Sequence, residues 1–227
     1  PMFREGEVIG AIFVARRAPG LFTDSQVQLL ETFADQAVIA IENVRLFTEL
    51  DARNRDLTEA LEQQTATSEI LQTISRSPTD VQPVFDIIAQ RAGRLCGAEV
   101  AVVSRLDGTN IELAAIDGLV PEGVRMVRTL YPMNTNAQTV SARVIRESVV
   151  VHIADVLADQ SYVLKDFARA ARYRGALGVP IVRNDRVIGS IFVGRATPGL
   201  FTDAQVQLLK TFADQAVIAI ENVRLFT

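Results

Sequence analysis

Cysteine and histidine are nearly absent from this chain. Its 227 residues hold one of each, Cys96 and His152. A lone cysteine excludes an intramolecular disulfide. A structural zinc site takes about four nitrogen or sulfur ligands, which one cysteine and one histidine do not supply. No metal site is expected, and most triad-type catalysis is excluded with it. A G-x-x-x-x-G-K-[ST] phosphate loop is missing. An excess of basic residues is missing too: the formal net charge is −4 and the pI about 5.2. Nucleic-acid binding needs a basic face, so no nucleic-acid partner is expected. No apolar run approaches the ~18 residues of a membrane span. The start lacks the charged region and apolar core of a secretory signal. These absences together point to a reducing, cytoplasmic setting. Position 1 is proline rather than methionine, and reads as the middle of something longer.

What is present is apolar side chain and repetition. Apolar residues make up 48% of the chain, which suits a packed core rather than disorder. The stretch TFADQAVIAIENVRLFT occurs at 32–48 and again at 211–227. Displacing the chain by 179 residues lays Pro1 over Pro180 and Thr48 over Thr227, with eleven differences in 48 paired positions. That period is far beyond the 20–50 residues of a solenoid repeat. It is the period of a whole domain duplicated in tandem. The chain is read as the end of one copy, a connector, and one complete copy, cut from a longer array.

The repeated part is locally explicit. Residues 177–183 and 186–194 are two apolar strands joined at Asn184-Asp185, with Glu5-Gly6 at the same place in the first copy. Pro198-Gly199 marks a turn. Thr202 and Gln205 then have the spacing of a capping box, and Phe201 and Val206 that of a hydrophobic staple. Phe22, Thr23, Gln26 and Val27 repeat the device. The helix that follows carries Ala37-Val38-Ile39-Ala40-Ile41, which is apolar all round at ~100° per residue. One face can cover its own sheet, and the other asks for a second partner. The alanines at 34, 37 and 40 would let another helix approach.

No proline or glycine interrupts residues 24–76. The segment ELDARNRDLTEALE turns charged, yet a seven-residue spacing persists through Phe47, Leu50, Asn54, Leu57, Leu61, Gln64, Ser68 and Leu71. A seam with polar members favours one register at a cost in stability. The expectation is one long helix running as a parallel two-stranded coiled coil, with Ala37, Ile41, Val44, Leu50, Leu57 and Leu61 on the dimer face. After a break at Ser77-Pro78-Thr79-Asp80, the remaining elements are an amphipathic helix over 81–96, a hairpin turning at Asp107-Gly108, a strand over 124–131, a helix over 136–147, a strand within SVVVHIADV, and a helix over 161–173. Strands joined mostly by hairpins argue an α+β fold with a mainly antiparallel sheet.

The stretches VVVHIADVLADQSY, RGALGVPIVRNDRVIGSIFVGRATPGLFTDAQVQLLKTFADQAVIAIENVRLF and LTEALEQQTATSEILQTISRSPTDVQPVFDIIAQRAGRLCGAE resemble the GAF domains arrayed in bacterial sensor histidine kinases. The resemblance covers 66–227 as a complete domain and 1–48 as the end of another, with a coiled-coil connector over 49–65. It implies a six-stranded antiparallel sheet, helices on one side packing in a homodimer bundle, and a small-molecule pocket on the other side within roughly 120–175. Ser104, Tyr131, Arg143, His152, Asp155, Tyr162 and Arg174 are the candidate ligand-binding residues, the arginines suiting an anionic ligand. No cofactor is expected. GAF-fold enzymes that reduce methionine sulfoxide use several cysteines, and Cys96 stands alone. Bilin attachment needs a pocket cysteine, whereas Cys96 ends a helix before the first strand. His152 could ligate haem, but on a strand it more often forms a hydrogen-bonded wall. The leading expectation is a sensory module that relays ligand state to a kinase domain lying beyond Thr227. The alternatives are a dimerisation and relay module with no ligand, or the regulatory module of a nucleotide cyclase. Catalysis by this portion is not expected.

Overall fold

The computed structural model describes residues 1–17, 19–76 and 79–226. The chain divides into two compact units, Pro1–Leu61 and Glu62–Thr227.

In the first unit a short antiparallel hairpin, β1 (Met2–Arg4) and β2 (Glu7–Gly10), is followed by irregular chain and by the helix α1 (Asp24–Arg76), whose residues beyond Leu61 belong to the second unit. Glu5 and Gly6 take φ of 50° and 87° at the hairpin turn, the pair of positive values that a two-residue turn requires. The capping box forms: the Thr23 N–H donates to Gln26 Oε1 at 3.0 Å. Through the charged stretch the helix is laced by pairs at helical spacing, including Arg45–Glu42, Arg53–Glu49 and Arg55–Asp51. Exposed pairs of this kind contribute only ~0.3–0.5 kcal/mol each. With no proline or glycine to interrupt it, α1 runs for 53 residues.

The second unit is a six-stranded antiparallel sheet of order β5-β4-β3-β8-β7-β6. Its strands are β3 (Val100–Asp107), β4 (Asn110–Asp117), β5 (Met133–Asn134), β6 (Val151–Ile153), β7 (Gly175–Arg183) and β8 (Arg186–Arg195). Its helices besides the end of α1 are α2 (Gln82–Leu95), α3 (Pro121–Leu130), α4 (Val140–Glu147), α5 (Lys165–Ala170) and α6 (Asp203–Phe226). Strand alternation sorts the sheet into two faces. Ala101, Val103, Val179, Ile191 and Val193 pack with α2, α6 and the last turns of α1, among them Ile70, Ile88 and Phe212. Val100, Val102, Ala176 and Phe192 face the opposite way, towards α4, α5 and the chain around them. Burying each of the larger side chains is worth about 1.5–3 kcal/mol. This is the α+β sheet with flanking helices that the sequence implies.

One element differs in kind. The strand expected over 124–131 is the helix α3. Pro121 stands in its first turn, where a missing N–H is no loss. Val124, Val127 and Leu130 then recur at three-residue spacing, the period of a helix and not of a strand. Val127 is buried while Arg125 and Arg128 are exposed. The strand of this region is only Met133–Asn134, paired to Ile111 and Asn110. Three other elements are shorter than expected: the helix over 136–147 covers Val140–Glu147, the strand over 148–156 covers Val151–Ile153, and the helix over 161–173 covers Lys165–Ala170.

Candidate functional site

The long connection from β4 to β7 creates the site. α3, α4 and α5 all fall between β4 and β7 in sequence, and their apolar sides converge on the sheet face that α2 and α6 do not cover. α4 lies directly on β7: a Cβ at Gly178 would stand 2.7 Å from both Val140 and Val144. Beside this contact a cavity of about 40 Å³ opens between Val102 and Phe192 of the sheet and Val127, Leu164 and Phe167 above it.

All three tyrosines of the chain, Tyr131, Tyr162 and Tyr173, line that cavity. The hydroxyls of Tyr162 and Tyr173 are 2.5 Å apart. The Tyr173 ring meets Phe192 edge-on at 5.6 Å and Phe167 at 6.0 Å, and it packs where Gly194 leaves out a side chain, since a Cβ there would lie 2.8 Å from the ring. Burial pushes the pKa of the Tyr131 phenol up to about 12, with the neighbouring Ser141 side chain opposing the rise. Burial also raises Tyr162, and burial together with the neighbouring Tyr162 raises Tyr173 well above its ordinary value. All three phenols are therefore uncharged at neutral pH. Thr139 caps α4 by accepting from the Ala142 N–H at 3.1 Å, and its own hydroxyl lies 3.3 Å from Met133 Sδ. No charged side chain is among the described residues that line the cavity.

Residues 80–220 match the GAF domain family, and residues 1–42 also match a GAF domain. The chain belongs to the GAF domain family. Solved structures agree on the fold. The chain is similar to residues 122 to 287 of a methyl-accepting chemotaxis protein, at 25% identity and a TM-score of 0.56, covering 71% of this chain and 98% of that one. It is similar to the GAF domain of an Acinetobacter phosphoenolpyruvate-protein phosphotransferase, at 20% identity and a TM-score of 0.58, covering 72% and 96%. It is similar to free methionine-R-sulfoxide reductase from Neisseria meningitidis in complex with its substrate, at 17% identity and a TM-score of 0.58, covering 75% and 94%.

Within this GAF sheet the residues named from sequence separate. Tyr131 and Tyr162 come together in the cavity. Arg143 lies outside it, in a groove of about 310 Å³ that shares Thr139, Val140 and Tyr162 with the cavity, and its Nε donates to Glu147 at 3.1 Å. Ser104 is buried within the sheet, its hydroxyl 2.7 Å from that of the cross-strand Ser190. His152 Nε2 accepts the Phe201 N–H at 2.5 Å and its ring tilts against Phe201 at 5.6 Å. Burial, with Arg195 second, lowers its pKa. That histidine ties down the chain entering α6. Asp155 and Arg174 form an ion pair away from the cavity, and the guanidinium holds the carboxyl below its usual range. Asp155 also accepts from the Leu157 N–H at 3.0 Å. The Cys96 thiol is buried, and burial pushes it up to about 12. Among the described residues no group of three or more His, Cys, Asp or Glu is arranged to hold a metal ion, and no helix is long and apolar enough to cross a membrane.

Sequence reasoning missed Tyr173, Ser141 and Thr139. The candidates were polar residues within apolar strands and their adjoining loops, whereas Ser141 stands on α4, Thr139 caps it, and Tyr173 lies between α5 and β7. The signal available was the clustering of every tyrosine between 131 and 173. On the helix, Ala37 is half-buried, while Ile41, Val44, Leu50, Leu57 and Leu61 are exposed in the single chain.

Proposed function

We propose that this chain is the sensory and regulatory GAF portion of a bacterial signal-transduction protein, a histidine kinase in the leading reading, acting in the cytoplasm. It binds a small molecule in the tyrosine-lined cavity and passes the bound state to the helices across the sheet. The observation that carries this reading is the placement of the cavity. Its floor is Val102 and Phe192, and the neighbouring residues of the same strands, Val103, Ile191 and Val193, form the wall against which α2, α6 and the end of α1 pack. A ligand that shifts the floor by a few tenths of an ångström shifts that wall, because close-packed interiors transmit strain.

In this proposal two chains pair in parallel through Ala37, Ile41, Val44, Leu50, Leu57 and Leu61, the units 1–48 and 66–227 are successive members of a tandem GAF array joined through 49–65, and the output domain lies elsewhere in the parent protein. The portion itself performs no catalysis. The buried, protonated Cys96 is a poor nucleophile, and the one imidazole, His152, spends its Nε2 on a backbone N–H. The second reading, a relay module without a ligand, is favoured by the small volume of the cavity. Native mass spectrometry of the purified protein separates the two. The sensory reading expects a dimer carrying a co-purifying small molecule, released on denaturation. A ligand-free dimer from several expression hosts supports the relay module, and a monomer removes the paired-helix part of both.

A further inference from the structure

The chemistry of the cavity restricts what could enter it. Its polar equipment is hydroxyl: the phenols of Tyr131, Tyr162 and Tyr173 and the alcohols of Thr139 and Ser141. The rest of the lining is hydrocarbon with one thioether, Met133. A carboxylate, phosphate or ammonium placed there would lose its water and meet no opposite charge, a cost of several kcal/mol even after relaxation. A neutral molecule bears no such cost. The hydroxyls also have a proton to spare. Each phenol carries one proton, and the contact between Tyr162 and Tyr173 at 2.5 Å uses one of the pair's two. The other is free to donate, and a buried donor without an acceptor is destabilising. The volume of about 40 Å³ is several times the ~10–15 Å³ that one water needs on the same measure, so it admits a body of a few heavy atoms. Nucleotides and tetrapyrroles are far too large for it.

We propose that this GAF cavity takes a small uncharged molecule, an apolar body of a few carbons bearing one carbonyl or hydroxyl oxygen that accepts the spare phenolic proton of the Tyr162–Tyr173 pair. The inference rests on the sensory reading above and gives that reading a ligand class. It differs from the expectation drawn from Arg143 and Arg174, because those guanidinium groups are engaged outside the cavity by Glu147 and Asp155.

The chain reports on its own site. It has no tryptophan, and its three tyrosines all line the cavity, so the tyrosine bands in near-ultraviolet circular dichroism and emission arise there. The full chain is titrated with 2-butanol and with two charged molecules of similar size, butyrate and butylammonium, all transparent in that region. The expected result is a saturable change with 2-butanol, none with either ion at equal concentration, and binding weakened at least about tenfold in Tyr173→Phe and in Tyr162→Phe, with far-ultraviolet spectra unchanged. Equal or stronger binding of an ion overturns the proposal while leaving a ligand-binding GAF domain in place. Undiminished 2-butanol binding in both tyrosine variants overturns the role of the hydroxyl pair and with it the proposal. If no probe moves the tyrosines although a molecule co-purifies, the ligand class is wrong and the sensory reading stands. If no probe acts and nothing co-purifies, both fall.

Discussion

Residues 1–48 and 180–227 are nearly the same peptide in two surroundings. Locally they behave alike. Met2↔Gly10, Phe3↔Val8 and Arg4↔Glu7 pair with a bulge after Met2, and Ile181↔Gly189, Val182↔Val187 and Arg183↔Arg186 repeat the register with the bulge at the same place. Both hairpin turns use two successive residues at positive φ. Both helices start on a Thr–Gln capping box. Arg16 lies over the Phe22 ring at 4.7 Å, and Arg195 over Phe201 at 4.4 Å. Beyond that the two diverge. β8 continues to Arg195 because β3 pairs with it, whereas β2 stops at Gly10 and residues 11–16 form no strand. Phe192 is 6% exposed and its counterpart Phe13 88%. Phe212 is fully buried and its counterpart Phe33 is 56% exposed. The difference teaches that turn, bulge, cap and arginine–aromatic contact belong to the peptide, while strand length and burial belong to the neighbours it is given.

The sharpest test removes the exposed copy. Phe13, Phe22, Leu29 and Phe33 face solvent together, and contiguous apolar patches of this kind bind hydrophobic dyes. Deleting residues 1–48 should abolish most of the anilinonaphthalene sulfonate fluorescence of the native chain. A second unit that binds the dye as strongly by itself would break the comparison. Next come paired truncations. Phe212→Ala should destabilise the second unit by about 3–5 kcal/mol, whereas Phe33→Ala should stay within about 0.5 kcal/mol. Urea unfolding followed by tyrosine emission reads only the second unit, where every tyrosine resides. Similar midpoint shifts for the two variants would mean that residues 1–48 are packed in solution. The caps should differ less. Thr202→Ala should cost about 1 kcal/mol in the same measurement. Thr23→Ala should leave that midpoint unchanged and instead speed amide exchange in the first turn of α1.

The smallest effect concerns pH. His152 belongs to the second unit and has no counterpart in residues 1–48, which align with 180–227. Its pKa is lowered in the folded chain, chiefly by burial. Below the ordinary value of about 6.5 the unfolded chain therefore binds a proton that the folded chain resists. The contribution is fully present above that value and is lost as pH falls through the folded pKa. The urea midpoint of the second unit should fall between pH 7.5 and pH 5, and the fall should be reduced in His152→Gln. Asp155 and Asp159, whose pKa values are lowered by hydrogen bonds from Arg174 and from Ser161 respectively, contribute loss only at more acidic pH. An unchanged slope in the glutamine variant would remove His152 from the account.

Much of this fold is legible in the sequence. The unbroken helix from 24 to 76 follows from the missing prolines and glycines, and the hairpin at Asn184-Asp185 from turn chemistry. The capping boxes follow from residue types three apart. Each depends on contacts within a few residues, where local preference decides. Over 124–131 the dense apolar residues suggest a strand, whereas Pro121 at the helix start and the three-residue recurrence of Val124, Val127 and Leu130 favour the helix, which the burial of Val127 completes. The candidate site was half legible. Tyr131 and Tyr162 could be named as polar groups near apolar strands, but nothing local said that His152 would turn to the Phe201 N–H, that Asp155 would pair with Arg174, or that Tyr173 would close the triad.

The repeat states the division most directly. With eleven changes in 48 positions, the turn, the bulge, the helix start and the charge-paired continuation of α1 follow from the peptide alone, because those rest on dihedral preferences and hydrogen bonds spanning three to five residues. Whether the same Phe-Val or Leu-Leu is core or surface, how far a strand extends, and which hydroxyls meet in a cavity depend on the packing of distant segments. Burial is a property of two surfaces, and a peptide carries only one of them.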